Sequence, residues 1–211
     1  MSRILVSLIL SFLVGHFAFA EQQKAPRFEI LEIDGEIFSR IKGKSYKENC
    51  TVPLSDLRYL VVTHYDGKGN IREGELICNA SIAEDLIDIF QNLYDAGYPI
   101  ESIRLIDDFE ADDVASMQAN NTSCFNFRKV AGSNKLSKHS MGLAIDINPL
   151  YNPYVKGSMV SPPEGRPYTA RNKKFPYKID ESDLCYQEFI RHGFKWGGNW
   201  KSLKDYQHFE K

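Results

Sequence analysis

The sequence predicts an α+β domain in which a mainly antiparallel sheet is flanked by helices. Three observations point there. Short runs of β-branched and aromatic residues are separated by turn chemistry, while two other stretches carry apolar residues at helical spacing. The two kinds of segment do not alternate in the strand–helix rhythm that a parallel sheet requires. The chain has 211 residues, 43% hydrophobic and 26% charged. It shows no internal repeat, and those proportions suit one globular domain with a sizeable core.

The first twenty residues are expected to lie outside that fold. Arg3 is followed by the apolar run Ile4–Val14, interrupted only by Ser7 and Ser11. Ala18-Phe19-Ala20 is a small-x-small cleavage signal before the polar Glu21–Lys24. This is the pattern of a secretory signal peptide cut after Ala20, and it implies a secreted or periplasmic protein. The apolar run is shorter than the roughly 20 residues of a membrane-spanning helix. No stable membrane insertion is expected, and the absence of a cysteine at the cleavage point argues against a lipoprotein. Residues 21–49 read as a lead-in and residues 50–211 as the main domain.

Within these bounds, a short helix is expected near Asp34–Lys42. Leu57–Tyr65 and Ile71–Cys78 are strand-like and flank the turn residues Gly67-Lys68-Gly69-Asn70, which predicts a hairpin. Asn79 stands as a helix cap before Ile82, Leu86, Ile89, Phe90 and Leu93, and Gly97 is the stop. Ile100–Ile106 reads as a strand. Asp107–Thr122 reads as a polar loop with room for a short helix, and the adjacent Asp112-Asp113 as solvated. Ser123–Val130 is expected to be extended and Gly142–Asn148 to be a strand. Pro149–Asp180 reads as a long loop, of a length that is often functional. Ser182 would cap a second helix reaching His192. Phe194–Trp196 and Tyr206–Glu210 are short strands.

The formal net charge is −2. That balance leaves no electrostatic footprint for nucleic acid. Cys50, Cys78, Cys124 and Cys185 are widely spaced, with no CxxC pair, so a cysteine zinc site is disfavoured. Export permits disulfides, buried free thiols are equally compatible, and the sequence does not choose among pairings.

Histidine is scarce, and two histidines have unusual company. His139 lies in Ser137-Lys138-His139-Ser140-Met141-Gly142, just before Leu143–Asn148. Strand alternation would send Leu143, Ile145 and Ile147 to the core and Ala144, Asp146 and Asn148 toward a cleft. Asp146 is then a carboxylate in an apolar strand, which is costly unless it is paired or metal-bound. His208 lies in Asp205-Tyr206-Gln207-His208-Phe209-Glu210, after Trp196-Gly197-Gly198-Asn199-Trp200. Two imidazoles and a carboxylate are a suitable ligand set for a catalytic zinc, which keeps a further position open. Hydrolysis also needs a general base, for which Asp205 is the candidate. It needs a cation or donor for the oxyanion or the substrate carboxylate as well, and Arg128 is the candidate.

Ser-x-His-x-x-Gly-x-Ala-x-Asp at Ser137–Asp146, together with Asp-x-x-His at Asp205–His208, resembles the D-alanyl-D-alanine carboxypeptidase family of zinc metallopeptidases. That family includes vancomycin-resistance D,D-peptidases and endolysin endopeptidases that cut L-Ala-D-Glu bonds. Pro53–Leu60, Asn121–Ser123, Phe125-Asn126, Asn148-Pro149, Asn152–Val155 and Trp196–Gly198 extend the resemblance over roughly residues 50–210. It implies a single zinc ion on His139, Asp146 and His208, Asp205 as base, a zinc cleft on one sheet face, and a monomer acting on peptidoglycan stem peptides. D,D-carboxypeptidase activity is the first expectation and L-Ala-D-Glu endopeptidase activity the alternative. Two departures stand out. No Arg follows Ile103–Ile106, where better-known members carry a substrate-binding one; Asp107-Asp108 follows instead. The base is Asp where several relatives use Glu.

Blander readings accompany these. His139 and Asp146 could be a structural pair, Asp205 a turn residue and Arg128 an ion-pair residue. Ser137 is read as a hydrogen-bonding neighbour of the ligands rather than a nucleophile. Trp196 is the candidate aromatic on the substrate side, with core packing as its alternative and Trp200 beside it. His64 and His192 read as ordinary packing or surface residues. The same fold and zinc site also occur in the Hedgehog signalling domain, so a non-catalytic binding module is the reading from another class.

Overall fold

A computed structural model describes residues 25–130 and 132–211. The expected signal peptide lies outside the described residues. No helix among them is long and apolar enough to cross a membrane.

The residues expected to be a lead-in are packed into the fold. Strand β1 (Phe28–Leu31) pairs antiparallel with β2 (Leu57–Tyr65). Helix α1 (Gly35–Ile41), capped by the Asp34 side chain on Ile37 N, buries Ile37 and Ile41. β2 then pairs antiparallel with β3 (Ile71–Asn79). The turn between them is organised by Asp66, whose carboxylate accepts from the backbone N–H of Lys68 and of Asn70, both at 2.9 Å.

β2 is buried almost throughout because both faces of this sheet are covered. Leu60 and Val62 of β2, with Leu76 of β3, join a cluster under helix α2 (Ala83–Asp95). Leu57, Tyr59 and Val61, with Ile77, join a second cluster with Ile37, Ile41, Phe125 and Phe127. Asn79 caps a 3-10 turn, Ala80–Ile82, that leads into α2. α2 turns Leu86, Ile89, Phe90 and Leu93 inward, as its spacing requires.

The expected strand at Ile100–Ile106 shrinks to β4 (Ser102–Ile103), which pairs parallel with β5 (Asn121–Thr122). The ladder stops because the Asn121 carboxamide takes over the backbone of Arg104. It accepts from Arg104 N at 2.9 Å and donates to Arg104 O at 3.0 Å. Between these strands lies helix α3 (Asp113–Gln118), capped by Asp112.

The expected strand at Gly142–Asn148 is reduced to β6 (Ala144–Asp146). Gly142 and Asn148 both have left-handed backbones, with φ of 66° and 46°. Gly142 is required as glycine, since a Cβ there would stand 2.6 Å from Asn79 N. Of the residues expected to face a cleft, Ala144 and Asn148 are fully buried. Asn148 instead accepts from Glu101 N and donates to Pro99 O, both at 3.1 Å.

The Pro149–Asp180 segment holds a hairpin of its own, β7 (Tyr154–Lys156) and β8 (Met159–Ser161), followed by a 3-10 stretch. Its base is clamped by Arg171. The guanidinium donates to the carbonyls of Tyr151 (3.0 Å) and Ile179 (2.6 Å) and to Asn152 Oδ1 (3.0 Å). Helix α4 (Leu184–Arg191) is capped by Asp183 rather than Ser182, whose hydroxyl is engaged by Asp180 at 2.6 Å.

The chain ends in β9 (Lys195–Trp196), β10 (Lys204–Asp205) and β11 (His208–Glu210). The expected strand Tyr206–Glu210 is thus divided between two sheets. β6, β11 and β9 form one antiparallel sheet in the order β6-β11-β9, and β10, β7 and β8 another in the order β10-β7-β8. Phe209 stacks on Phe189 of α4 with ring centres 4.3 Å apart, joining this end to the core under α2. The architecture is α+β with antiparallel sheets, as the sequence predicts; β4–β5 is the parallel exception among the described sheets. The four cysteines are free thiols, with Cys78, Cys124 and Cys185 buried.

Candidate active site

His139 is placed by a short 3-10 turn, Lys138–Met141. Ser137 caps it, its hydroxyl accepting from His139 N at 3.3 Å. The turn is fastened to the segment before it. Asn126 N donates to His139 O at 3.1 Å, Ser137 N to Arg128 O at 3.0 Å, and Arg128 N to Ser140 Oγ at 2.8 Å. These bonds hold a buried histidine on an otherwise irregular segment. Its Nδ1 lies 2.6 Å from Cys124 O. A carbonyl only accepts, so Nδ1 carries a proton and Nε2 faces the rest of the cluster.

Asp146 and His208 meet through strand register. They are direct partners in the β6–β11 pair, so both side chains project to one face. His208 Nδ1 lies 3.1 Å from Asp146 Oδ1 and 3.2 Å from His139 Nε2. His139 Nε2 is 3.3 Å from Asp146 Oδ2. One donor atom from each residue falls within 4.8 Å of the others. The sequence thus named three residues, far apart along the chain, that the fold brings to one point.

Burial alone would raise the Asp146 carboxyl, but His139 and His208 outweigh it and hold Asp146 far below the carboxylate range. Burial likewise disfavours a charged His208 ring, yet hydrogen bonds to Asp146 and Glu210 push it up to about 10. The cluster is arranged around positive charge.

Glu210 is a member that sequence reasoning missed. Its Oε2 lies 3.1 Å from His208 Nε2. It sits two residues after His208 on the same strand, and a period of two puts it on the same face. That alternation was the available signal. An outer carboxylate on one ring nitrogen leaves the other facing the cluster, the arrangement that orients metal-ligating histidines.

Asp205 lies beside this group in β10. It is half-buried. Burial pushes it up to about 6; the positive pull of His208 opposes this and the charge of Asp146 adds to it. Gln207, buried, donates to its Oδ1 at 3.2 Å. Gly197 explains how Asp205 comes so close. A Cβ on Gly197 would stand 2.8 Å from Asp205 Cβ and 3.3 Å from His208 Cβ.

The remaining candidates are placed differently. Arg128 forms an ion pair through Nε with Asp113, whose other oxygen accepts from Asn126 Nδ2 at 3.0 Å. Asp112, exposed as expected, caps α3, and Asp113 is an ion-pair partner at the start of that helix. Trp196 is 6% exposed and packs on Tyr186 and Phe209, with its indole N–H on Tyr206 O at 2.9 Å. It is a core residue. The aromatic beside the cluster is Trp200, half-buried, its ring centre 5.3 Å from that of His208. His64 is buried with Nδ1 on Ile100 O at 2.8 Å, and His192 pairs with Asp85 at 3.1 Å, as packing residues do.

Fold and site together define a hydrolase-like α+β protein with a buried His-Asp-His cluster able to hold a metal and a carboxylate beside it. Residues 131–211 match the family model of D-alanyl-D-alanine carboxypeptidase. That segment, which contains the His-Asp-His cluster and Asp205, is similar to D-alanyl-D-alanine carboxypeptidase. The match starts later in the chain than the motif resemblance, which began near residue 50. No curated protein and no solved structure matches.

Proposed function

We propose that the protein is a zinc-dependent peptidase that hydrolyses peptidoglycan stem peptides outside the cytoplasm, acting as a D-alanyl-D-alanine carboxypeptidase. The supporting observation is the convergence of His139 Nε2, His208 Nδ1 and an Asp146 oxygen within 4.8 Å of one another. Two imidazoles and a carboxylate suit zinc, and both rings are oriented from behind, by Cys124 O and Glu210. A zinc ion held there supplies Lewis acidity and makes hydroxide available near neutral pH.

The chain's own residues divide the remaining work. Asp205 takes the proton of the attacking water and returns it to the leaving amine nitrogen, a role suited to a carboxylate raised to about 6. Trp200 covers one side of His208 and limits access of bulk water. Ser137 caps the turn that carries His139, and Glu210 holds the His208 ring. The signal peptide read at residues 1–20 supports export to the wall, where a monomer meets its substrate. Asp205 also favours chemistry over a Hedgehog-like binding role, since a binding module has no use for a raised carboxylate beside the metal.

The test is digestion of purified peptidoglycan with the full mature chain, followed by mass analysis of the products. Chelator-sensitive release of D-alanine is the expected result. Stem fragments cut after L-alanine would replace the carboxypeptidase assignment with the endopeptidase one. The absence of any chelator-sensitive product would overturn the peptidase reading.

A further inference from the structure

Hydrolysis of a peptide leaves negative charge on the carbonyl oxygen, and a peptidase needs a donor there. The sequence offers Arg128, whose Nε is paired with Asp113. The β10–β7 pair brings a second candidate beside Asp205.

Asp205 is the direct partner of Tyr154 in that antiparallel pair. Directly opposed residues project to the same face with Cβ atoms about 4.5–5.5 Å apart. The phenol ring therefore stands on the same side of the sheet as the Asp205 carboxylate. Tyr154 is half-buried, and among the described residues its hydroxyl makes no hydrogen bond. Its donor is unused.

The backbone that carries Tyr154 is rigid. Asn152, two residues earlier, is fully buried and donates to Asn148 O at 3.1 Å and Tyr177 O at 2.8 Å, while Arg171 and Ile179 N donate to its Oδ1. The clamp fixes the backbone two residues before Tyr154, and the β7–β10 pairing fixes it at Tyr154 itself. Burial and, after it, the Asp205 charge raise the Tyr154 phenol, so it remains a donor through the neutral range.

Resting on the peptidase reading above, we propose that Tyr154 is a further catalytic residue whose phenol donates a hydrogen bond to the developing oxyanion of the scissile carbonyl. The water oxygen bonds to the carbonyl carbon and its proton passes to Asp205. The carbonyl π pair moves onto the oxygen that Tyr154 hydrogen-bonds. That pair then re-forms the C=O bond, the C–N bond breaks, and the proton passes from Asp205 to the amine. Tyr154 keeps its own proton throughout.

The test is Tyr154→Phe, which keeps the ring and removes only the hydroxyl. kcat should fall about 10²-fold, as for loss of an oxyanion donor, with KM, zinc content and melting temperature unchanged. Affinity for a D-alanyl-D-alanine phosphinate, which carries a tetrahedral anion, should weaken, while affinity for the product D-alanine stays the same. Wild-type kcat and phosphinate affinity in the variant would overturn the assignment and leave the peptidase reading intact. A fall in kcat that tracks lost zinc or a lowered melting temperature would also overturn it, because the hydroxyl would then be structural. No zinc-dependent hydrolysis by the wild type would overturn the peptidase reading, and this assignment with it.

Discussion

The β1–β2–β3 sheet and the β6–β11–β9 sheet solve different problems with the same backbone. The first has two strands of nine residues each, and nearly every central residue faces one of two apolar clusters. Its β3 glutamates are paired, Glu73 with Arg27 and Glu75 with Arg40. The second has strands of two or three residues and carries Asp146, His208 and Glu210 on one face, with Ile145, Phe209 and Trp196 in the core on the other. A sheet so short does not hold itself. It leans on α4 through Phe209 against Phe189, and its lead-in is tied to the first sheet through Asn79 N on Gly142 O at 2.9 Å. The long sheet supplies stability, and the short one supplies charge held in place.

That division predicts distinct consequences for mutation. The largest effect should come from His139→Ala or His208→Ala, each removing stoichiometric zinc and reducing hydrolysis to background while the fold persists. Phe90→Ala, under the long sheet, should do the reverse, lowering stability by about 3–5 kcal/mol without changing zinc bound per folded chain. Metal analysis beside denaturant titration would break the comparison if either variant moved both quantities.

Asp205→Asn should lower kcat by about 10²–10⁴ and leave zinc bound. The base must be ionised to work, and its pKa is raised to about 6. Activity is therefore present above that value and falls as pH drops through it; a bound cation would move this limb lower. A pH–rate profile of wild type and variant checks the sign, since the limb should be absent from the variant's residual rate.

Gly197→Ala sharpens the comparison without touching a charged group. Its Cβ would lie 2.6 Å from Asp205 O and 2.8 Å from Asp205 Cβ, so β10 must move. A displacement of roughly 1 Å at the base is expected to reduce kcat about 10²-fold, with a small change in melting temperature. The smallest effect is predicted for Glu210→Gln, which should weaken zinc binding by about 10–100-fold, measured by competition with a chromogenic chelator. An unchanged affinity would remove Glu210 from the account.

What could be read in the sequence follows the same division. β2, β3 and α2 were legible because their patterns persist over whole elements, and Asn79 stood where a cap was needed; β1, four residues within the expected lead-in, was not. The short elements were not. Asp183 rather than Ser182 starts α4, a choice made by which carboxylate reaches Cys185 N. The strand at Ile100–Ile106 lost most of its length to the Asn121 side chain, a contact between residues far apart in sequence. The ligand residues showed as charge in apolar surroundings with a family spacing. Arg128 showed only as a nearby cation, and nothing in its neighbours announced the pairing with Asp113 across the α3 segment. In the sequence Trp196 reads as the aromatic on the substrate side, yet it packs in the core, and Gly197 and Gly198 make room for Asp205 and the Trp196 ring.

The most direct test of the central claim is stepwise return of zinc to chelator-stripped protein while D-alanine release is followed. The rate should rise linearly and break at one zinc per chain, and His208→Ala should show neither the rise nor the break. Full activity in the stripped protein, or a rise without a break at that ratio, would contradict the assignment of His139, Asp146 and His208 as a catalytic zinc site.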